Sequence, residues 1–439
     1  MGTALVRTMM SWAARFRLRQ YVKASLWIVP LFGLLLGAVL AGWAADADGA
    51  GWLPGTWQYS ASTASTVLSS VVGSMVALLG FVVTIGVLVV QQATGTLSPR
   101  YMRLWYRDRL QKAVLATFTG TFAYAYSLLR GIESDSVPDL GVTLSGVAVS
   151  VSLVLLLIYL NRFTHNLRPV AIADLVGRMG QKVLVQGTEH IDRHAARAGA
   201  SVPSAGPVTL IRSERGGVVQ AFDAAGLIAA AALNDCVLVL AHQIGDFVPP
   251  GSTLVEAHGS APSPDPRRVT GLVALGTERT IEQDPAFALR ILVDIAIRAL
   301  SPAVNDPTTA VQVLNHIDMF LHTVGRARLR GRYVLADDQG RPRLVVPGRS
   351  WEDYLQVGVT EIREYGATSL QVCRRLRALL EDLLESQPTD RLPAVRAELV
   401  LLDEAVRRTF TDPARRASAQ TADRQGIGGG RRPRSEPSR

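Results

Sequence analysis

Residues 67–90 read VLSSVVGSMVALLGFVVTIGVLVV, a stretch without one charged side chain. At about 1.5 Å per residue such a helix is long enough to cross roughly 30 Å of hydrocarbon. A helix of this length lying on a soluble core would carry a charged stripe, and this one has none. The stretch therefore predicts a membrane span. Working outward, three further uncharged runs share the property, Leu26–Ala45, Ala113–Leu129 and Leu140–Leu160. The expected architecture is a four-helix transmembrane domain over residues 1–161, with spans at about 26–45, 67–90, 113–129 and 140–160. The first run follows Arg15, Arg17 and Arg19 and precedes Ala45-Asp46-Ala47, as a secretory leader would. Its length exceeds the usual apolar core of roughly 7–15 residues, so it reads as a retained span.

The loops between the spans alternate in charge. Residues 1–24 hold five basic and no acidic residues, and the loop 46–66 holds Asp46 and Asp48 without Lys or Arg. The loop 91–112 carries Arg100, Arg103, Arg107, Arg109 and Lys112 against Asp108, and the next carries Arg130 against Glu133, Asp135 and Asp139. By the positive-inside rule both termini are expected in the cytoplasm of a bacterial inner membrane, with Trp27, Trp43, Trp52 and Trp57 as interfacial anchors. The same arithmetic disposes of nucleic acid as a partner. Of the net charge of +9, residues 1–161 carry +5, residues 162–412 carry −1 and residues 413–439 carry +5. The charge marks topology and a basic tail around a neutral body. Two cysteines, Cys236 and Cys373, in 439 residues exclude a disulfide scaffold.

The second span bears a regular seam. Thr66, Ser70, Gly73, Ala77, Gly80 and Thr84 recur at steps of four and three, and Gln91 follows in phase. Small residues let helices approach closely in lipid and hydroxyls can bond across the contact, so one reading is a packing face. The other is a polar pore wall in a homo-oligomer. Ala113, Thr117, Gly120 and Tyr124 repeat the pattern in the third span, and Gly33 and Gly37 form a GxxxG pair in the first. No span contains Asp, Glu, Lys, Arg or His, which argues against a pump or a proton-coupled transporter.

Beyond the membrane domain the sequence predicts an α+β cytoplasmic domain in four pieces. They are a juxtamembrane helix over 162–198, a small β-barrel-like module over 208–258, a mainly helical part over 265–411, and a disordered basic tail over 412–439. The string IGDFVPPGSTLVEA, Ile244 to Ala257, is similar to the small barrel of biotinyl and lipoyl carrier domains. Such carriers modify a lysine, and no lysine follows Lys182. That absence also removes a Walker lysine and a Schiff base from the body. His190 and His194 stand one helical turn apart without further ligands, which fits an exposed face better than zinc. No metal and no cofactor are expected, and no nucleophile–base pair is readable, so a non-enzymatic role is expected.

The densest polar segment is GTERTIEQDPAFALRILVDIAIRALSPAVNDPTTA, Gly276 to Ala310. Asp284-Pro285 and Asp306-Pro307 each look like a helix cap followed by proline in the first turn. Glu278, Arg279, Glu282, Asp284, Arg290, Asp294, Arg298 and Asp306 form either an ion-pair network tying two helices or a pocket gripping an anionic ligand or lipid headgroup. In the pocket reading Asn305, Thr308 and Thr309 supply hydrogen bonds.

The strings TERTIEQDPAFALR, LVDIAIRALSPAVNDPTTAV and QQATGTLSPRYMR resemble the bacterial membrane proteins of the domain of unknown function 2254 family, over nearly the whole chain to about residue 410. The resemblance implies a multi-pass inner-membrane protein with a cytoplasmic C-terminal domain, and it brings no chemistry with it. The functional expectation is a homo-oligomeric channel or passive transport protein gated by its cytoplasmic domain. The alternative is a non-enzymatic membrane sensor or scaffold that binds a ligand in the polar pocket.

Overall fold

A computed structural model describes residues 10–48, 58–96, 100, 107–133, 137–166, 168–195, 207–259 and 264–427. Trp52, Trp57, most of the 199–207 linker and the last residues of the basic tail, 428–439, lie outside them. The chain forms two compact units, one over Gln20–Arg168 and one over Met1–Arg19 with Pro169–Arg439. Helix α1, Trp12–Ala24, runs across the boundary between them.

The membrane unit is built from α2 (Ile28–Asp48), α3 (Ala61–Thr96), α4 (Arg109–Arg130) and α5 (Asp139–Asn166). Among the described residues, three stretches are long and apolar enough to cross a membrane: Ile28–Ala47, Ala61–Gln91 and Asp139–Arg162. The expected third span is helical throughout, inside α4, but it is less apolar than the others. Thr117, Thr119, Thr121, Tyr124 and Tyr126 dilute it. These residues sit on a helix that packs on α2, α3 and α5. Its hydroxyls find partners there. Thr119 donates to the Pro30 carbonyl (2.9 Å) and Tyr124 to the Gly141 carbonyl (3.2 Å). The GxxxG pair faces α4 in the same chain. A Cβ on Gly33 would lie 2.2 Å from the Ala116 carbonyl oxygen, and one on Gly37 would lie 2.1 Å from that of Gly120. Lys112 donates to the Lys23 carbonyl (2.6 Å), tying α4 to the last turn of α1.

In the other unit α6 (Pro169–His194) is followed by β1 (Val208–Arg212), β2 (Gly217–Phe222), α7 (Ala224–Leu233), β3 (Val237–Leu240), β4 (Phe247–Val248) and β5 (Thr253–His258). Then come α8 (Pro266–Thr270), β6 (Val273–Gly276), α9 (Pro285–Ala299), α10 (Pro307–Arg326), β7 (Arg332–Ala336) and β8 (Pro342–Pro347). Helices α11 (Trp351–Gly366), α12 (Leu370–Ser386), α13 (Leu392–Thr409) and α14 (Pro413–Ala419) complete it.

The β-barrel expectation for 208–258 is corrected. The strands form an open five-stranded sheet, β1-β5-β3-β8-β7, and a separate three-stranded sheet, β4-β2-β6. Closure fails because the free edge of β3 is taken in parallel by β8, and β2 pairs with β6, both from beyond residue 258. Leu227, Leu238, Val255 and Leu344 are fully buried between α7 and the sheet. The helical side is centred on α9, whose Leu289, Leu292, Ile295 and Ala296 are inaccessible to solvent. The tail expectation is corrected for residues 413–427. Asp412-Pro413 repeats the cap-and-proline signature and starts α14. Beyond it the Asp423 amide donates to the Arg374 carbonyl (3.1 Å), and Arg424 pairs with Asp382 and Glu385 on α12.

Candidate functional site

The second half of α6, the end of β2, the β3–β4 turn, the entry to α9 and the β8–α11 junction enclose a cleft of about 440 Å³. Trp12 of α1 contributes to it, held by the bond from the Ala13 amide to the Gly271 carbonyl (2.8 Å). The walls are largely apolar, with Trp12, Leu184, Ile191, Phe222, Ile244 and Tyr333 among them. On α6, Gly187 faces the cleft with open space where a Cβ would stand.

Asp284 forms one side. Only 2% exposed, it caps α9 by accepting the Phe287 amide on Oδ1 (3.1 Å). Its Oδ2 accepts Nε (2.9 Å) and Nη2 (2.6 Å) of Arg279. The Arg279 guanidinium also lies over the Phe287 ring, 5.4 Å from its centroid, and against Gly245. Gly245 has φ +97°, a conformation that favours glycine, and a Cβ there would meet Arg279 Nη2 at 2.5 Å. The Gly-Asp turn thus exists to let this arginine reach its carboxylate. Burial pushes the Asp284 carboxyl upward from its usual range, and the charges of Arg279 and Arg349 oppose it.

Arg349 lines the same side. Its Nη2 donates to the Ile244 carbonyl (3.3 Å), and it forms no ion pair with any described residue. Tyr354, at 4% exposure, turns into the cleft as well, and no described residue hydrogen-bonds its hydroxyl. Burial pushes that hydroxyl up, and the nearby Asp284 carboxylate adds to the effect, so it stays protonated as a donor. His190 faces the cleft with its pKa lowered, first by burial and then by the charges of His194 and Arg193. Among the described residues no three of His, Cys, Asp and Glu gather as a metal site.

The eleven polar residues singled out from the sequence do not converge on one pocket. Glu282 and Asp284 line the cleft, and Arg279 pairs with Asp284 beside it. The Glu278 carbonyl accepts from Gln220 (2.7 Å). Along α9, Arg290 donates to Asp294 (2.8 Å) and to the Glu361 carboxylate of α11 (2.8 Å), and its bond to Glu361 raises the arginine's pKa. Arg298 lies in the last turn of α9. Asn305, at φ +48°, is exposed in the turn that follows, and Thr308 is exposed in the first turn of α10. Asp306 caps α10 through the Thr309 amide (3.0 Å) and hydroxyl (2.5 Å). The two Asp-Pro caps are separated by all of α9, roughly 22 Å at 1.5 Å per residue. Arg349, Tyr354 and Glu361 carry no marker in the sequence, since they reach the site from more than sixty residues away in the chain.

In the membrane unit the seam residues Thr66, Ser70, Gly73, Ala77, Gly80, Thr84 and Gln91 are all exposed. The opposite face of α3, with Ala64, Leu68, Met75, Val82 and Val89, carries the contacts within the unit. Thr66, Ser70 and Thr84 donate to carbonyls of their own helix at 2.8–2.9 Å.

A unit of apolar, membrane-length helices joined to an α+β unit that holds a cleft defines a membrane protein with an appended α+β domain. The chain belongs to the DUF2254 family of predicted membrane proteins, whose model matches residues 23–382 and so takes in both units. It is similar to the uncharacterized protein Rv1290c of Mycobacterium tuberculosis (strain H37Rv), 32% identical over 425 residues covering 90% of this chain and 79% of the relative. The uncharacterized protein Mb1321c of Mycobacterium bovis is similar to the same extent. No solved structure matches the chain.

Proposed function

We propose that this protein is a non-enzymatic sensor of the bacterial inner membrane, with four spans and both termini cytoplasmic, that binds a small ligand in the 440 Å³ cleft. The observation that carries the reading is the composition of the cleft wall. It includes Trp12 and the Leu184–Ile191 stretch, which belong to the two helices, α1 and α6, that connect in sequence with the membrane unit. A ligand seated there changes the free energy of the two segments that link the units, which is what a signal across the chain requires. Asp284 is engaged on both oxygens, which supports binding over general-base chemistry. The fourth span is α4, whose Thr119 and Tyr124 hydroxyls bond to carbonyls of neighbouring helices. The basic loops support the orientation.

The test is hydrogen exchange on full-length protein in lipid nanodiscs, with and without a bacterial small-molecule extract. Slower exchange at residues 184–191 and 12–19 is expected, and it is expected to disappear in Gly187→Trp, which fills the cleft from a position with open space. No change with any extract fraction would overturn the sensor reading.

A homo-oligomeric channel is the second reading, favoured by the outward exposure of the whole Thr66–Gln91 seam. A Cβ on Gly73 or Gly80 meets nothing within 4 Å. Gly80→Leu is therefore expected to leave the chain folded, with a melting temperature within a few degrees of wild type, and to reduce self-association on light scattering. Wild-type liposomes that pass no ions or osmolytes would overturn the channel, and unchanged association of Gly80→Leu would overturn the seam as the contact between copies.

A further inference from the structure

We propose that the cleft is built for an amphiphile with one carboxylate head, which sits on Arg349 and Tyr354 while its apolar body lies along Leu184, Ile191 and Trp12. The proposal rests on the ligand-binding reading above and names the class of ligand.

Asp284 and Arg349 line the polar side of the cleft, and Arg279 stands beside it, paired with Asp284. Asp284 is satisfied without Arg349, because Arg279 takes one carboxylate oxygen with two N–H groups and the Phe287 amide takes the other. Arg349 forms no ion pair with any described residue, and its guanidinium donates to the neutral Ile244 carbonyl at 3.3 Å. A guanidinium is weakly hydrated and presents paired N–H groups that match a carboxylate. Next to it Tyr354, 4% exposed, lines the cavity, and its hydroxyl has no partner among the described residues. That hydroxyl opens on the cavity, where a ligand oxygen can take the place of water on it. The cleft therefore offers two unspent donors, one of them charged, on one side.

The remaining wall excludes other anions. Asp223 and Glu282 also line the cleft, and Asp223 is fixed in place as the cap of α7 through the Gly226 amide (3.1 Å). With these two carboxylates the charged groups of the wall are net negative, so a ligand with one charge, matched by Arg349, is disfavoured far less than a phosphate dianion or a nucleotide. Apolar walls dominate elsewhere, and the volume falls in the range of sites for small organic ligands, about 300–1,000 Å³. A single carboxylate on a short aliphatic body satisfies all of these features together.

Equilibrium dialysis with full-length protein in nanodiscs, subtracting empty nanodiscs, tests this with labelled decanoate as the probe. Saturable binding is expected, with decanol and decyl phosphate at least about ten-fold weaker. Arg349→Gln and Tyr354→Phe are each expected to weaken decanoate by about ten-fold or more while melting near wild type, and Arg408→Gln, on an exposed helix end far from the cleft in sequence, is expected to change nothing. Should one cleft variant fail to fold, the other decides. Uptake no greater than that of empty nanodiscs, equal affinity for decanol, or wild-type affinity in the cleft variants would overturn the proposal. A hydrogen-exchange response to cell extract without decanoate binding would leave sensing in place and overturn the carboxylate; loss of both would overturn sensing itself.

Discussion

Gly37→Ala is expected to unfold the membrane unit, or to leave it melting far below wild type. The added Cβ would sit 2.1 Å from the Gly120 carbonyl oxygen and 2.9 Å from its carbonyl carbon. These are backbone atoms, so no rotamer change relieves the contact, and α2 and α4 must separate along their length. Overpacking a core with room to adjust costs about 1–3 kcal/mol, and a rigid helix–helix contact lies at or above the upper end. Separation also pulls the Pro30 carbonyl away from Thr119, leaving a hydroxyl with only its own helix to bond. Gly42→Ala is the control, because a Cβ there meets nothing within 4 Å although it lies on the same helix. Fluorescence-detected gel filtration with a thermal ramp reads both. A Gly37→Ala protein that elutes and melts like Gly42→Ala would mean that α2 and α4 do not meet at these glycines.

Asp284→Ala carries the second large effect, in the other unit. The substitution removes a helix cap, worth about 1 kcal/mol, and leaves Arg279 facing a half-buried space without its counter-charge. Removing one member of a buried pair costs about 3–5 kcal/mol in total, mostly because the survivor keeps its desolvation without compensation. The diagnostic is the background. With Arg279→Met already present, Asp284→Ala is expected to cost little beyond the cap, because there is no longer a cation to strand. Chemical denaturation of the four chains closes a double-mutant cycle. A full loss in both backgrounds would show that Asp284 does not stabilise through Arg279.

Much of the architecture was legible because it follows from local periodicity. Absence of charge over whole runs marks α2, α3 and α5, and the Asp-Pro pairs at 284–285 and 306–307 mark the starts of α9 and α10 where they occur. The run Ala113–Leu129 was legible as a helix, but the polar residues it carries answer to where α4 packs, which no single segment encodes. The barrel expected over 208–258 fails for the same reason. Val237–Leu240 looks like a strand in isolation, and nothing near it announces that its partner is Leu344–Val345. Of the candidate site, Asp284, Arg279 and Glu282 were visible as a polar cluster. The side chains that finish the cleft, Arg349 and Tyr354, were silent, since an arginine before a helix cap and a tyrosine on an amphipathic helix are ordinary in sequence. The Asp412-Pro413 signature was legible in principle and was masked by the basic, serine- and proline-rich composition around it.

The parallel pairing of β3 with β8 sets an order of events during synthesis. Residues 237–240 leave the ribosome roughly a hundred residues before residues 342–347, a delay of about 5–20 s at bacterial elongation rates of about 5–20 residues per second. Throughout that interval the edge of β3 is an unpaired apolar template, Val-Leu-Val-Leu. Such an edge pairs with any other extended chain that reaches it. The nascent protein therefore depends on what shields this strand until β8 arrives, and a product terminated between residues 258 and 342 would be the species most prone to aggregate.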